Sequence, residues 1–159
     1  MKINSKMSRL LCNATVDRPL DPSLKALLRS GFSRLGDCEL LTGLLTRIQN
    51  AVPKDFSDAV GFECFVNSIH VEDYDQDEPL SQAIVFVLEL FKIWDEIKSH
   101  QILIAIISAD EDSVVVRFHL NRPDQQWLND DLEKYLDAIL QVDSSNDLTA
   151  IKNTVCCKH

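Results

Sequence analysis

Residues 101–120 read QILIAIISADEDSVVVRFHL, and the fold follows from how this stretch is taken. The first arm, up to Ser108, is almost continuously apolar, as a strand covered on both faces should be. The second arm alternates, with Val114, Val116, Phe118 and Leu120 on one side and Val115, Arg117 and His119 on the other. Between them ADED is a turn. The stretch predicts two antiparallel strands with a turn over 109–113.

Reading outward, Pro123 ends the second strand, since proline cannot donate to a strand ladder. DQQWLNDDLEKYLDAIL (124–140) is expected to form a short helix, capped by Asn129 or Asp130 with acids in its first turn. AILQVDS (138–144) is expected to be a last strand, and the tail 146–159 carries only one helical turn. On the N-terminal side, PLSQAIVFVLELFKIWDEIKSH (79–100) is apolar on most sides and reads as a buried central helix starting near Pro79.

Before it lies a solvated acidic loop with Glu72, Asp73, Asp75, Asp77 and Glu78. GFECFVNSIHVEDY (61–74) is ambiguous. Phe62, Phe65, Val66 and Ile69 fit a helix, but aromatic and β-branched content over a short run favours a strand. DPSLKALLRSGFSRLG (21–36) predicts a helix with Asp21 as N-cap, Pro22 at its first position and Gly36 as C-cap. Leu40, Leu41, Leu44, Leu45 and Ile48 then predict a second helix from Asp37 to Pro53, completing a helical hairpin. Residues 1–20 carry mixed signals and are taken as partly extended or frayed. The expected class is α/β (α+β): an N-terminal helical hairpin and a central apolar helix packed on a mainly antiparallel sheet. One domain spans 1–159, with 1–20 and 145–159 poorly ordered.

The 159 residues suit one domain, and a 45% hydrophobic content supplies a core. No run is long and apolar enough to span a bilayer, and the N-terminus lacks the apolar core of a secretory signal. Cys12, Cys38, Cys64, Cys156 and Cys157 are odd in number and irregular in spacing, which points to free thiols in a reducing cytoplasm, with Cys38 and Cys64 as core residues. The net charge of −9 is unevenly spread. Residues 1–54 hold nine Lys/Arg against four Asp/Glu, and residues 55–159 hold seven against twenty-one. So acidic a surface repels nucleic acid and fits a basic protein.

Familiar catalytic spacings are absent: no G-x-S-x-G, H-E-x-x-H, P-loop or dinucleotide fingerprint occurs, and the chain has four glycines. No cofactor is expected. His119 with Asp130, Asp131 or Glu133 is the one candidate acid–base pair, and a structural histidine is the simpler reading. Adjacent Cys156 and Cys157 suit a zinc ion poorly, and the acidic loop lacks the glycine and terminal glutamate of a calcium-binding loop. What solvation alone leaves unexplained is a pair of aromatics, Trp127 and Tyr135, among Asp130, Asp131 and Glu133. Aromatics ringed by carboxylates suit the capture of a basic partner, with Asp110, Glu111 and Asp112 as further contacts, although Trp127 fits a core position equally well.

Arg117-Phe118-His119, then Arg122, Trp127-Leu128 and the acidic Asp131-Leu132-Glu133-Lys134-Tyr135 resemble the pattern of small bacterial immunity proteins of the contact-dependent growth inhibition and polymorphic-toxin type. FVNSIHVEDY is similar to the strand and acidic loop before their central helix. The resemblance covers about residues 60–143. It departs at Asp124-Gln125-Gln126, where related chains carry Gly-Glu before the tryptophan. It implies a cytoplasmic antitoxin without enzymatic activity, which blocks the active site of a basic, nuclease-type toxin domain. Arg122 and the acidic and aromatic residues named above would be the contacts, with no nucleic acid or membrane as partner. A small hydrolase or transferase built on His119, or an acidic adaptor, remains the alternative.

Overall fold

A computed structural model describes every residue except 49, 98–99, 146–147 and 157–159. The 101–120 stretch forms the expected pair: β5 (Leu103–Ala109) and β6 (Val114–Leu120) run antiparallel, with Ala109 opposite Val114 and Leu103 opposite Leu120. They are the centre of a sheet completed by β7 (Ala138–Asp143), β1 (Lys2–Ile3) and β4 (Ser68–His70), in the order β1-β7-β5-β6-β4. Every pairing in it is antiparallel. Helix α4 (Pro79–Glu96) has proline in its first turn and buries most of its circumference against one face. Ala105, Ile107, Val116, Phe118 and Leu140 of the sheet join Ile84, Phe86, Leu90 and Phe91 of the helix in the main core. The protein is an α+β domain with a central apolar helix on an antiparallel sheet.

The continuous apolarity of β5 has the cause its sequence implied. Its other face carries Ile104 and Ile106, which with Ile139 are covered by Leu128, Leu132 and Tyr135 from the segment joining β6 to β7. That segment is not the expected helix. Leu132–Lys134 makes one 3-10 turn, capped by Asp131, and the rest is irregular. Leu128, Leu132 and Tyr135 reach the sheet from an irregular backbone, so tertiary burial replaces local propensity.

Other segments also differ from expectation. The helix after Asp21 is α2 (Pro22–Arg29), and Asp21 Oδ1 accepts from the amides of Ser23 and Leu24. It stops earlier than Gly36, at Gly31, whose φ of 71° is the left-handed conformation that ends helices. Gly36, φ 59°, sits instead in the turn of a hairpin between β2 (Phe32–Leu35) and β3 (Cys38–Leu41). The second helix of the predicted helical hairpin is therefore β3 followed by a 3-10 stretch, Thr42–Arg47.

The ambiguous 61–74 run divides. Asp58 Oδ1 accepts from Gly61 N at 2.7 Å and starts α3 (Ala59–Val66), and only Ser68–His70 is strand. Residues 2–11 are folded, as β1 and α1 (Ser5–Leu11), with Met7 and Leu11 fully buried. Asn4 fixes them: its Oδ1 accepts from Met7 N and Ile139 N, and its Nδ2 donates to the carbonyls of Leu132 and Asp137. Near the C-terminus, α5 (Leu148–Cys156) inserts Ile151 and Val155 into the core. Cys157 lies outside the described residues.

Candidate functional site

Four chain segments reach the same end of the sheet. Ala109 ends β5, Val114 begins β6 and Ala138 begins β7, and the register places Ala109 opposite both of the others. His70, the last residue of β4, pairs with Val115. The loops leaving this end carry the acidic residues. The β5–β6 turn is held from within: Asp110 Oδ1 accepts from the amides of Asp112 and Ser113 at 2.8 and 2.7 Å, and Asp110 N donates to Ser113 O. Those two amides hold the Asp110 carboxyl below its ordinary range. Beside it, Glu72 Oε2 accepts from Val114 N at 2.9 Å and Oε1 meets His70 Nδ1 at 2.9 Å. Partial burial pushes Glu72 up, but these bonds outweigh it and the carboxyl lies below its usual range.

The result is a cleft of about 310 Å³ whose walls include Glu72, Asp73, Asp110, Glu111 and Asp112. Among the described residues, no lysine or arginine lines it. Two segments some 40 residues apart in the chain thus make one acidic surface. Among the described residues no three His, Cys, Asp or Glu side chains are placed to hold one metal ion.

Across the turn is a second, shallower cleft of about 430 Å³, which shares Asp110 and Glu111 with the first. Its apolar residues are Leu10, Ala109, Leu136 and Ala138, and Lys6 and Arg9 of α1 edge it. Leu136 is 91% exposed and Leu10 42%. The sequence gives no warning of Leu136. Read as part of a helix over 124–140 it falls among apolar neighbours, whereas here β7 starts two residues later and leaves it pointing outward.

The remaining predicted site residues are placed elsewhere or engaged otherwise. In the acidic loop, Asp75 receives Arg18 at 2.9 Å and the amides of Asp77 and Glu78, and Glu78 also pairs with Arg18 at 2.9 Å. Asp77 is exposed. Trp127 is half-exposed on the middle of the outer sheet face, with the Arg117 guanidinium 5.8 Å from its ring centroid. Glu133 accepts from Ser5 N and Ser5 Oγ at the start of α1, and these bonds lower its carboxyl. Asp131 caps the 3-10 turn and approaches Lys134, while Asp130 lies 3.9 Å from Lys2. Tyr135 packs its ring into the outer cluster and accepts from Asn129 N at 2.9 Å.

Arg122 stands at the opposite end of β6, whose seven residues put roughly 20 Å between its ends. It is locked to Glu63 and does not join the acidic cleft. His119 is 2% exposed and its Nδ1 donates to Leu120 O at 2.8 Å. Burial holds its imidazole below the ordinary value. Asp130, Asp131 and Glu133 are not its partners; the carboxylate nearest it electrostatically is Glu63. Cys38 and Cys64 are buried, and burial raises both thiols.

What the geometry defines is an α+β domain whose recognisable surface feature is an acidic strand-end cleft flanked by an apolar ledge. Residues 2–156 match the model of the Uncharacterized protein PM0498 family, and the chain belongs to that family. A relative, Uncharacterized protein PM0498 of Pasteurella multocida (strain Pm70), is 32% identical over 65 residues. The aligned part is 41% of this chain and 41% of that relative, less than half of either. No solved structure matches. No helix among the described residues is long and apolar enough to cross a membrane.

Proposed function

We propose that this protein is a binding module without turnover, whose acidic sheet end captures a basic protein partner, as a cytoplasmic immunity protein captures its toxin domain. The observation that carries this reading is the convergence of Glu72, Asp73, Asp110, Glu111 and Asp112 on one cleft whose described lining holds no lysine or arginine. Backbone hydrogen bonds fix Asp110 and Glu72 before a partner arrives, so little ordering cost is left for binding. Such a field speeds encounter with a basic surface and is weakened by salt. Leu136 and Leu10, beside the shared Asp110 and Glu111, add the apolar anchor that charge alone lacks. A toxin whose active site holds phosphates presents the complementary charge, and a carboxylate surface fills it as a phosphate mimic. An adaptor for another basic protein would use the same surface.

The test is to screen the protein domains encoded beside this gene for a basic one that binds, with affinity measured by calorimetry at low and high salt. The reading expects a nanomolar, salt-sensitive complex that weakens at least tenfold in an Asp73→Lys, Glu111→Lys, Asp112→Lys variant. Asp110 is left intact because it holds the turn. Equal affinity of variant and wild type would exclude the acidic cleft as the interface.

A further inference from the structure

A second concave feature lies between α2, the connector at 16–20 and α4, with a volume of about 390 Å³, within the range of small-molecule sites. Its floor is apolar, formed by Val16, Leu20, Leu28, Val85 and Ile93. Lys25 and Arg29 stand at its rim, four residues apart on one face of α2, and both are exposed. Among the described residues neither forms an ion pair. The other charges of the lining are satisfied: Arg18 by Asp75 and Glu78 at 2.9 Å each, and Glu89 by Lys92 at 2.6 Å. An otherwise acidic chain thus places two uncompensated cations at the rim of a hollow with an apolar floor.

We propose that this hollow binds an amphipathic monocarboxylate with a medium-length acyl body. The acyl chain would cover the floor and the carboxylate would lie between Lys25 and Arg29, whose guanidinium fork matches a carboxylate's two oxygens. Glu89 in the same lining disfavours a dianionic phosphate head, which selects the singly charged group. Burial of the acyl chain supplies most of the affinity. The exposed cations orient the head and contribute less, about a five- to tenfold gain in affinity for the pair.

The experiment is an amide ¹H–¹⁵N NMR titration of the full chain with octanoate, with 1-octanol as the uncharged control. The expected result is saturable shifts at Leu20, Leu28, Val85 and Ile93, with octanol binding about five- to tenfold more weakly. A Lys25→Gln, Arg29→Gln variant, altered only at exposed positions, should bind octanoate no better than octanol and bind octanol as wild type does. The proposal is overturned by the absence of saturable shifts, by shifts centred on another face, or by unchanged octanoate binding in the variant. The acidic sheet end plays no part in this test, so either reading can fail without the other.

Discussion

Glu63 and Arg122 face each other in a two-pronged pair, Oε2 to Nη1 at 2.7 Å and Oε1 to Nη2 at 3.0 Å, with the Glu63 side chain wholly buried. The same carboxylate accepts from Leu120 N and Glu39 N, and Arg122 also donates to Asp37 O. One turn on, Asn67 accepts from Leu41 N and donates to Glu39 O and Phe118 O. Glu63 of α3 and Asn67, the residue that caps its C-terminus, therefore join the small β2–β3 hairpin to the end of β6. A carboxylate buried among four donors is stable only while all of them remain.

Arg122→Met should accordingly cost about 3–5 kcal/mol in urea unfolding, because it strands a buried charge. Asp37 and Glu39 amides, at the hairpin, should then exchange faster than those of β5. A loss below 1 kcal/mol would show that the pair is not structural and would reopen Arg122 as a contact residue.

Asn4→Ala should cost about 3 kcal/mol, combining a lost helix cap with buried amides of Met7 and Ile139 left unpaired. Urea midpoints check the magnitude. The protection of Ile139 against hydrogen exchange checks the mechanism.

His119 sets an acid limb on stability. Burial lowers its folded value below 6.5, while Glu63 and Asp58 pull it up and Arg122 pulls it down without reversing the direction. The unfolded chain then binds more protons, so stability is full above about pH 6.5 and declines as pH falls towards the folded value. The decline is at most about 1.4 kcal/mol per pH unit for one proton. The carboxyls of Glu72, Asp110 and Glu133 are lowered from 4.5, 3.8 and 4.5, so their contributions fade only at more acid pH. Unfolding curves at pH 7.5 and 5.5 should differ for wild type and nearly coincide for His119→Gln.

Leu136→Ser should leave the unfolding free energy within about 0.5 kcal/mol of wild type, since the side chain is 91% exposed. It should nevertheless weaken capture of the basic partner, because it removes the apolar anchor beside Asp110 and Glu111. Asp110→Ala should act the other way round in the free protein, speeding exchange of the Asp112 and Ser113 amides, which NMR reads directly.

The strands of 101–120, the helix from Pro79 and the capped helix from Asp21 were legible in sequence, because each is set by local periodicity and a terminal signal within its own span. So was the acidity of 72–78 and 110–112. Cys38–Leu41 was not, because Leu40, Leu41, Leu44 and Leu45 fit a helical face as well as a strand followed by a 3-10 turn. What separates the two readings is Gly36 at a positive φ and the bonds from Glu63 and Asn67, which come from more than 20 residues away. The outer-face segment misled for a similar reason: Leu128, Leu132 and Tyr135 satisfy helical spacing but are positioned by Ile106 and Ile139.

Sequence by itself therefore determined the α+β class, the central helix and the supply of carboxylates, all properties of near neighbours in the chain. Only tertiary structure decided which carboxylates share a surface. It joined Glu72 and Asp73 to the 110–112 turn, engaged Glu133 and Arg122 with structural partners, and left Leu136 in solvent. Those outcomes depend on strand register, and register is settled by burial of the whole sheet on both faces, which no local pattern encodes.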